Sequence, residues 1–68
     1  MHYEILVQGV LDGGWSAWFD GLHVSGDPDR GTSTIAGPVV DQAALHGLLA
    51  KVRDLGLPLL EVRRIGPD

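Results

Sequence analysis

The segment WSAWFDGLH, residues 15–23, combines residue types that could form a small-molecule site. Aromatic rings can wall a pocket, and an acid and a histidine inside it can exchange protons with a ligand. The same residues could instead anchor a subunit interface, where tryptophan is enriched, and we favour this interpretation. The side chains concerned are Trp15, Trp18, Phe19, Asp20, Leu22 and His23. Asp20 precedes Gly21, a pair that is typical of a turn or a bulge.

A second group of polar residues lies in GPVVDQAALHGLLAKVRDLG, residues 37–56. Asp41 stands just before an apolar stripe of helical period, so we interpret it as an N-cap rather than as a catalytic acid. His46 flanks that stripe, which predicts a packed or interface residue. Gly47 costs a helix about 1 kcal/mol relative to Ala. We therefore expect another chain, or the sheet, to approach the backbone closely at Gly47.

Neither group has a recognisable catalytic or metal-binding context. Only His46, His23 and Asp20 could serve as acid–base groups, and we assign no catalytic residue. The three histidines of the chain are not spaced as in known zinc motifs, and the absence of cysteine excludes thiolate ligands. We therefore expect no metal and no cofactor.

Composition limits the class of protein and of partner. The chain has 68 residues, of which 44% are hydrophobic and 21% charged, so we expect a single folded domain over residues 1–68. So short a chain exposes much of its surface, which makes self-association the expected source of extra stability. The net charge of −4 argues against nucleic acid. No stretch is long and apolar enough for a membrane span, and no signal peptide is evident, so we expect a cytoplasmic protein.

The remaining patterns predict the elements that position these residues. Four segments have strand character: Tyr3–Val10, Trp15–Ser25, Thr32–Val40 and Leu57–Ile65. The Asp12-Gly13-Gly14 turn should join the first two as a hairpin. A helix should follow Asp41 and end at Gly56, because leucine and valine recur at 3.6-residue spacing between them.

The predicted fold is therefore α+β, with the order β-β-β-α-β and one helix on one face of a mainly antiparallel four-stranded sheet. A meander of the first three strands and a right-handed crossover give the strand order 3-2-1-4, with the fourth strand parallel to its neighbour. The face without a helix should carry apolar side chains, drawn from Leu6, Trp18, Leu22, Leu60 and Val62. Such a face usually marks an interface.

The motifs WFDGL and GPVVDQAALHGLLAKVRDLGLPLLEVRR resemble a group of short bacterial proteins usually labelled hypothetical. The resemblance runs from the second predicted strand to the last. It implies a free-standing bacterial protein and supplies no activity, cofactor or catalytic residue.

Three hypotheses of function follow. The first is a non-enzymatic homo-oligomer, a homodimer or larger, that serves as a binding or regulatory module. The second is a small enzyme or small-molecule-binding protein, with a pocket at a subunit boundary that uses His46 or His23 with Trp15 or Trp18. The third is an acidic chain that needs a different protein as partner. We favour the first, because a short chain without cysteine should carry apolar residues on both faces of its sheet.

Overall fold

The computed structural model of the chain describes residues 1–66. Its elements are strand β1 (His2–Gln8), a 3₁₀ helix (Gly13–Ala17), strand β2 (His23–Asp27), strand β3 (Thr32–Pro38), helix α1 (Gln42–Asp54) and strand β4 (Leu59–Ile65). The strands form one antiparallel sheet in the order β2-β3-β1-β4, and α1 packs on one face. The predicted α+β class with a single helix is confirmed.

The two central strands, β1 and β3, supply the floor of the core. Tyr3, Ile5 and Val7 alternate along β1 and are buried on the side that faces the helix, and Ile5 lies directly opposite Ile35 of β3. The helix contributes its apolar stripe to the same cluster. The buried residues are Tyr3, Ile5, Val7, Phe19, Leu22, Val24, Ile35, Val39, Leu45, Leu48 and Val52.

The helix has both of the predicted ends. The Asp41 carboxylate accepts a hydrogen bond from the Ala44 N–H at 2.8 Å, so the N-cap is confirmed. At the other end Gly56 has φ +74°, and its N–H donates to the Arg53 carbonyl at 2.9 Å. The Leu57 N–H donates to the Val52 carbonyl at 3.3 Å, which completes a Schellman motif with Leu57 packed on the core.

The second predicted strand, Trp15–Ser25, is wrong over most of its length. Asp12 accepts a hydrogen bond from the Gly14 N–H, so the Asp-Gly-Gly sequence begins a 3₁₀ helix and no hairpin. Asp20 and Gly21 then have φ values of +58° and +83°, which turn the chain before β2 starts at His23. The alternation of aromatic residues therefore arises from a helical turn and a bend.

The predicted strand order, 3-2-1-4, is also wrong. Ser33 of β3 donates to the Gly9 carbonyl at 2.6 Å and accepts from the Leu11 N–H at 2.8 Å, so the chain crosses the sheet directly after β1. A Cβ at Gly26 would stand 2.5 Å from the Leu11 carbonyl oxygen, so glycine is needed where this segment passes β2. This path carries β2 to the far edge, where it pairs with β3 alone.

The loop between β2 and β3 forms the hairpin instead. Gly31 has φ +70°, and its N–H donates to the Asp27 carbonyl at 2.8 Å. Strand β3 then runs back beside β1, which makes that pair antiparallel. The predicted position of the last strand beside the first is confirmed, although β4 runs antiparallel to β1.

The face of the sheet without a helix is polar, contrary to the prediction of an apolar face. Of the five expected side chains, Leu6 lies there and is half-buried. Leu22 is buried in the core, and Trp18 lies outside the strands. Leu60 lies at the register shift of β4, and Val62 stands opposite Ile5 on the helix side. The residues on this face include His2, Glu4, Gln8, His23, Ser25, Thr32, Thr34, Glu61 and Arg63.

Candidate functional site

The aromatic segment after the first strand divides into a buried part and an exposed part. Phe19 is fully buried and Leu22 nearly so, both in the core. The expectation that these two residues lie in a binding site or an interface is therefore wrong, because the chain's own core covers them. Trp15 and Trp18 keep 37% and 42% of their surfaces exposed. Among the large apolar side chains of this segment, only the two tryptophans remain available to a ligand or partner.

Lys51 of the helix binds the exposed part of this segment. Its Nζ donates to the Trp18 carbonyl and to Asp20 Oδ1, both at 2.9 Å, and lies 5.7 Å from the centroid of the Trp18 ring. The Asp20 carboxylate is thus engaged by a cation, and Asp20 occupies a turn with positive φ. These contacts make Asp20 a structural link between the segment and α1. Sequence reasoning missed this contact of Lys51, because nothing local connects residues 31 positions apart.

The histidines do not join the tryptophans within one chain. His23 lies on the polar face of β2, opposite Ala36. His46 is exposed on α1. Five residues separate His46 from Lys51, so at 3.6 residues per turn they point about 140° apart around the helix. Because Lys51 faces Trp18, His46 points to a different flank. A shared pocket at a subunit boundary stays a prediction.

The flank that carries His46 begins at Gln42. Gln42 Nε2 donates to Tyr3 Oη at 3.0 Å, which places this flank over β1. Gly47 is exposed, and no atom lies within 4 Å of the position that a Cβ would occupy there. The expectation of close approach by the sheet is wrong, because the space above Gly47 is open in the described chain. Approach by another chain stays a prediction.

The largest group of exposed apolar side chains lies on β4. Leu59, Leu60 and Val62 keep 48%, 49% and 37% of their surfaces exposed, and we call these three residues the β4 strip. A register shift opposite Leu6 and Val7 places both leucines near the same point of β1. Within the described residues 1–66, no strand lies beside β4 on the side away from β1. The strip therefore borders an open sheet edge.

Charged residues border the strip on the opposite face of the sheet. Arg63 donates to Glu4 Oε1 of the neighbouring β1 strand at 2.8 Å. This hydrogen bond, with the charges of Glu4 and then Glu61, raises the pKa of Arg63 above its ordinary value. An arginine is a cation at neutral pH in any environment of this kind, and Glu61 stands two residues away on the same face.

Two further features of the described residues concern metal binding and membrane insertion. Residues 1–66 contain no group of three or more His, Cys, Asp or Glu side chains arranged to hold a metal ion. Helix α1 is too short to cross a bilayer, and none of the described helices meets the length and hydropathy of a membrane span.

Comparisons with known proteins identify a family without an assigned activity. No curated protein matches the chain, and no solved structure does. A family model described as a domain of unknown function, DUF8691, matches residues 2–63, which include every strand and helix except the last two residues of β4. The chain therefore belongs to the DUF8691 family.

Proposed function

We propose that the chain is a non-enzymatic, self-associating binding or regulatory module that assembles through β4. The observation that carries this proposal is the β4 strip, in which three apolar side chains stand on an open sheet edge. Exposed apolar groups beside unpaired backbone favour the addition of another strand.

The position of the strip supports a partner on the helix side of the sheet. Val62 lies opposite Ile5, which is fully buried, yet Val62 itself remains 37% exposed. The helix is bound to β1 through Gln42 and to the aromatic segment through Lys51, and these contacts hold it over the other strands. A second chain at β4 would cover the apolar surface that α1 leaves open.

Other features of the edge favour a limited assembly over open-ended aggregation. Arg63 and Arg64 follow the strip, and charged residues on an edge strand oppose indiscriminate pairing. The bulge at Leu59 and Leu60 interrupts the regular ladder at one end. Together these features are typical of an edge that accepts one defined partner.

Sedimentation equilibrium over a range from about 1 µM to 1 mM tests the proposal. We expect the average mass to rise from one chain to two or more with concentration. The substitution Val62→Lys should keep the chain monomeric at concentrations where the wild type associates, because it places a charge within the strip. A wild-type chain that remains monomeric over the whole range contradicts the proposal.

Val40→Lys is the matched control. Val40 is 85% exposed, precedes the N-cap of α1 and lies outside the sheet, so the same charge is introduced away from β4. It should leave the association constant within about a factor of two of wild type. Circular dichroism of both variants checks that the fold is retained. An equal loss of association in both variants would assign the effect to net charge rather than to the strip.

A further inference from the structure

We propose that β4 pairs with β4 of a second copy in one defined register, antiparallel and centred on Val62. This inference rests on the proposed self-association and specifies its geometry. The expected product is a continuous eight-stranded sheet, in the order β2-β3-β1-β4 followed by the same strands of the second copy in reverse.

The direction of the backbone groups supports Val62 as the centre. The Gln8 N–H donates to the Pro58 carbonyl at 2.9 Å, whereas the Gly9 N–H donates to the Gly31 carbonyl at 2.7 Å. Even-numbered residues of β1 therefore direct their backbone groups towards β4, and odd-numbered residues direct theirs towards β3. Because Val62 lies opposite the odd-numbered Ile5, the N–H and C=O of Val62 point away from β1 to the open edge.

Symmetry limits the registers that are available. Two identical antiparallel strands are related by a two-fold axis perpendicular to the sheet, so each copy keeps its helix on the same face. In an antiparallel pair, residues that stand directly opposite each other lie on the same face of the sheet. The two-fold axis must therefore relate one central residue to the same residue of the second copy, directly opposite it. With Val62 at the centre, the pairing is centred on the middle residue of β4, Leu59–Ile65, and the bulge at Leu59 and Leu60 limits the regular ladder to the residues next to Val62.

The charges distinguish this register from its neighbours. With Val62 at the centre, Glu61 of each copy stands opposite Arg63 of the other, which gives two cross-strand pairs of opposite charge. Centring on Glu61 would oppose two glutamates, and centring on Arg63 would oppose two arginines. Opposite charges stabilise a cross-strand pair and like charges destabilise it, so the Val62 register is preferred.

The surrounding contacts fit this arrangement. Arg63 already binds Glu4 of β1, so Glu61 of the second copy would extend a row of alternating charges across the polar face. On the helix face the two β4 strips would meet at Val62. Each copy would keep β2 as its outer edge, so the assembly closes at two chains through this contact.

Charge reversal tests the register. We expect Glu61→Arg and Arg63→Glu each to weaken the dimer about tenfold or more, and the double variant E61R/R63E to return within about threefold of wild type, because only the double variant restores opposite charges. Arg63→Glu and the double variant both lack the original bond from Arg63 to Glu4. Recovery in the double variant therefore cannot come from that bond.

Amide hydrogen exchange in the wild type provides a second, independent measurement. In the dimer the Val62 N–H should exchange at least about tenfold more slowly than at monomer concentrations, since the pairing would shield it. The Arg63 N–H, which faces β1, should change far less and is the internal control.

The outcomes separate the two proposals. A wild type that is monomeric at every concentration overturns the self-association and the register with it. A dimer that does not regain strength in the E61R/R63E variant, or that leaves the Val62 amide unprotected, overturns only the register. Recovery together with protection of Val62 supports both.

Discussion

The two edge strands of the sheet, β2 and β4, differ in what covers the side that faces the helix. On β2, Val24 is 4% exposed, because the 3₁₀ segment and the connection through Leu11 pack over that end of the sheet. On β4, the equivalent position is Val62, which is 37% exposed. Both valines stand beside fully buried isoleucines, Ile35 and Ile5 respectively.

The difference follows from the size of the covering elements. An α-helix with its side chains is about 10 Å wide, and neighbouring strands lie about 4.8 Å apart. One helix therefore covers about two strands, and a third strand is covered only if another element of the chain packs on it. Residues 9–22 provide that element for β2, whereas nothing in the described chain provides it for β4. The comparison indicates that a single small domain can leave one edge for a partner.

Phe19→Ala is the substitution expected to have the largest effect on this comparison. Phe19 is fully buried and anchors the segment that covers β2, so its loss should lower the free energy of unfolding by about 3–5 kcal/mol. Urea denaturation measures the change. Trp18→Ala, at an exposed ring of the same segment, should cost less than about 1 kcal/mol. Equal costs would show that Phe19 is not the anchor.

The next test replaces the same residue type on each edge. Val24→Ala should lower the free energy of unfolding by roughly 2 kcal/mol, because it removes buried methyl groups. Val62→Ala should cost less than about 1 kcal/mol in dilute protein, where the strip is exposed. Denaturation at two protein concentrations measures both values. A concentration-dependent cost confined to Val62→Ala would show that association covers β4 but not β2. Equal costs in dilute protein would contradict the difference in coverage between the two edges.

Gly47 within α1 tests whether the helix surface away from the sheet is also open, and Gly56, just after the helix, is the comparison. Gly47→Ala should raise the free energy of unfolding by about 1 kcal/mol, because the Cβ meets no atom and alanine favours a helix. Gly56→Ala should lower it by about 1 kcal/mol, since φ is +74° at the C-terminal end. Thermal unfolding measures the opposite signs. If Gly47→Ala weakens association instead, another chain contacts the helix there.

The smallest effect is expected for Lys51→Met, which keeps an unbranched side chain but removes the ammonium group that binds the aromatic segment. The bond to Asp20 is partly exposed, so the cost should be about 0.5–1 kcal/mol in dilute protein. Arg53→Met, which removes a bond from the exposed Arg53 to its neighbour Asp54, is the control and should cost less. Thermal unfolding at low and high salt separates the effects of the two variants. If both variants cost the same free energy of unfolding, the Lys51 ammonium group does not help to hold the segment that covers β2.

The candidate site was only partly predictable from the sequence. The assignment of Trp15 and Trp18 to a pocket or a subunit interface stays a prediction, and the partial exposure of both rings is compatible with it. Phe19 and Leu22 were misassigned, because burial depends on what the rest of the chain places over a residue. Val62 was one of the candidates for the face without a helix, and it lies on the other face.

Local chemistry determined the helix and both of its ends. Asp41 and Gly56 act within a few residues of their own positions, through one capping carboxylate and one positive φ, so their roles can be inferred without the fold. The 3.6-residue spacing of leucine and valine likewise depends only on neighbouring positions, so it predicted the helix without knowledge of the fold.

Only the tertiary structure decided the path of residues 9–22 and, with it, the order of the strands. The alternation from Trp15 to Phe19 fits a strand as well as a 3₁₀ turn, and the choice depends on distant contacts such as those of Ser33 with Gly9 and Leu11. When residues 9–22 cover β2 and α1 covers the central strands, no described element remains to cover the helix side of β4. The open edge is therefore a property of the assembled fold, because it depends on which strands a limited number of covering residues can reach.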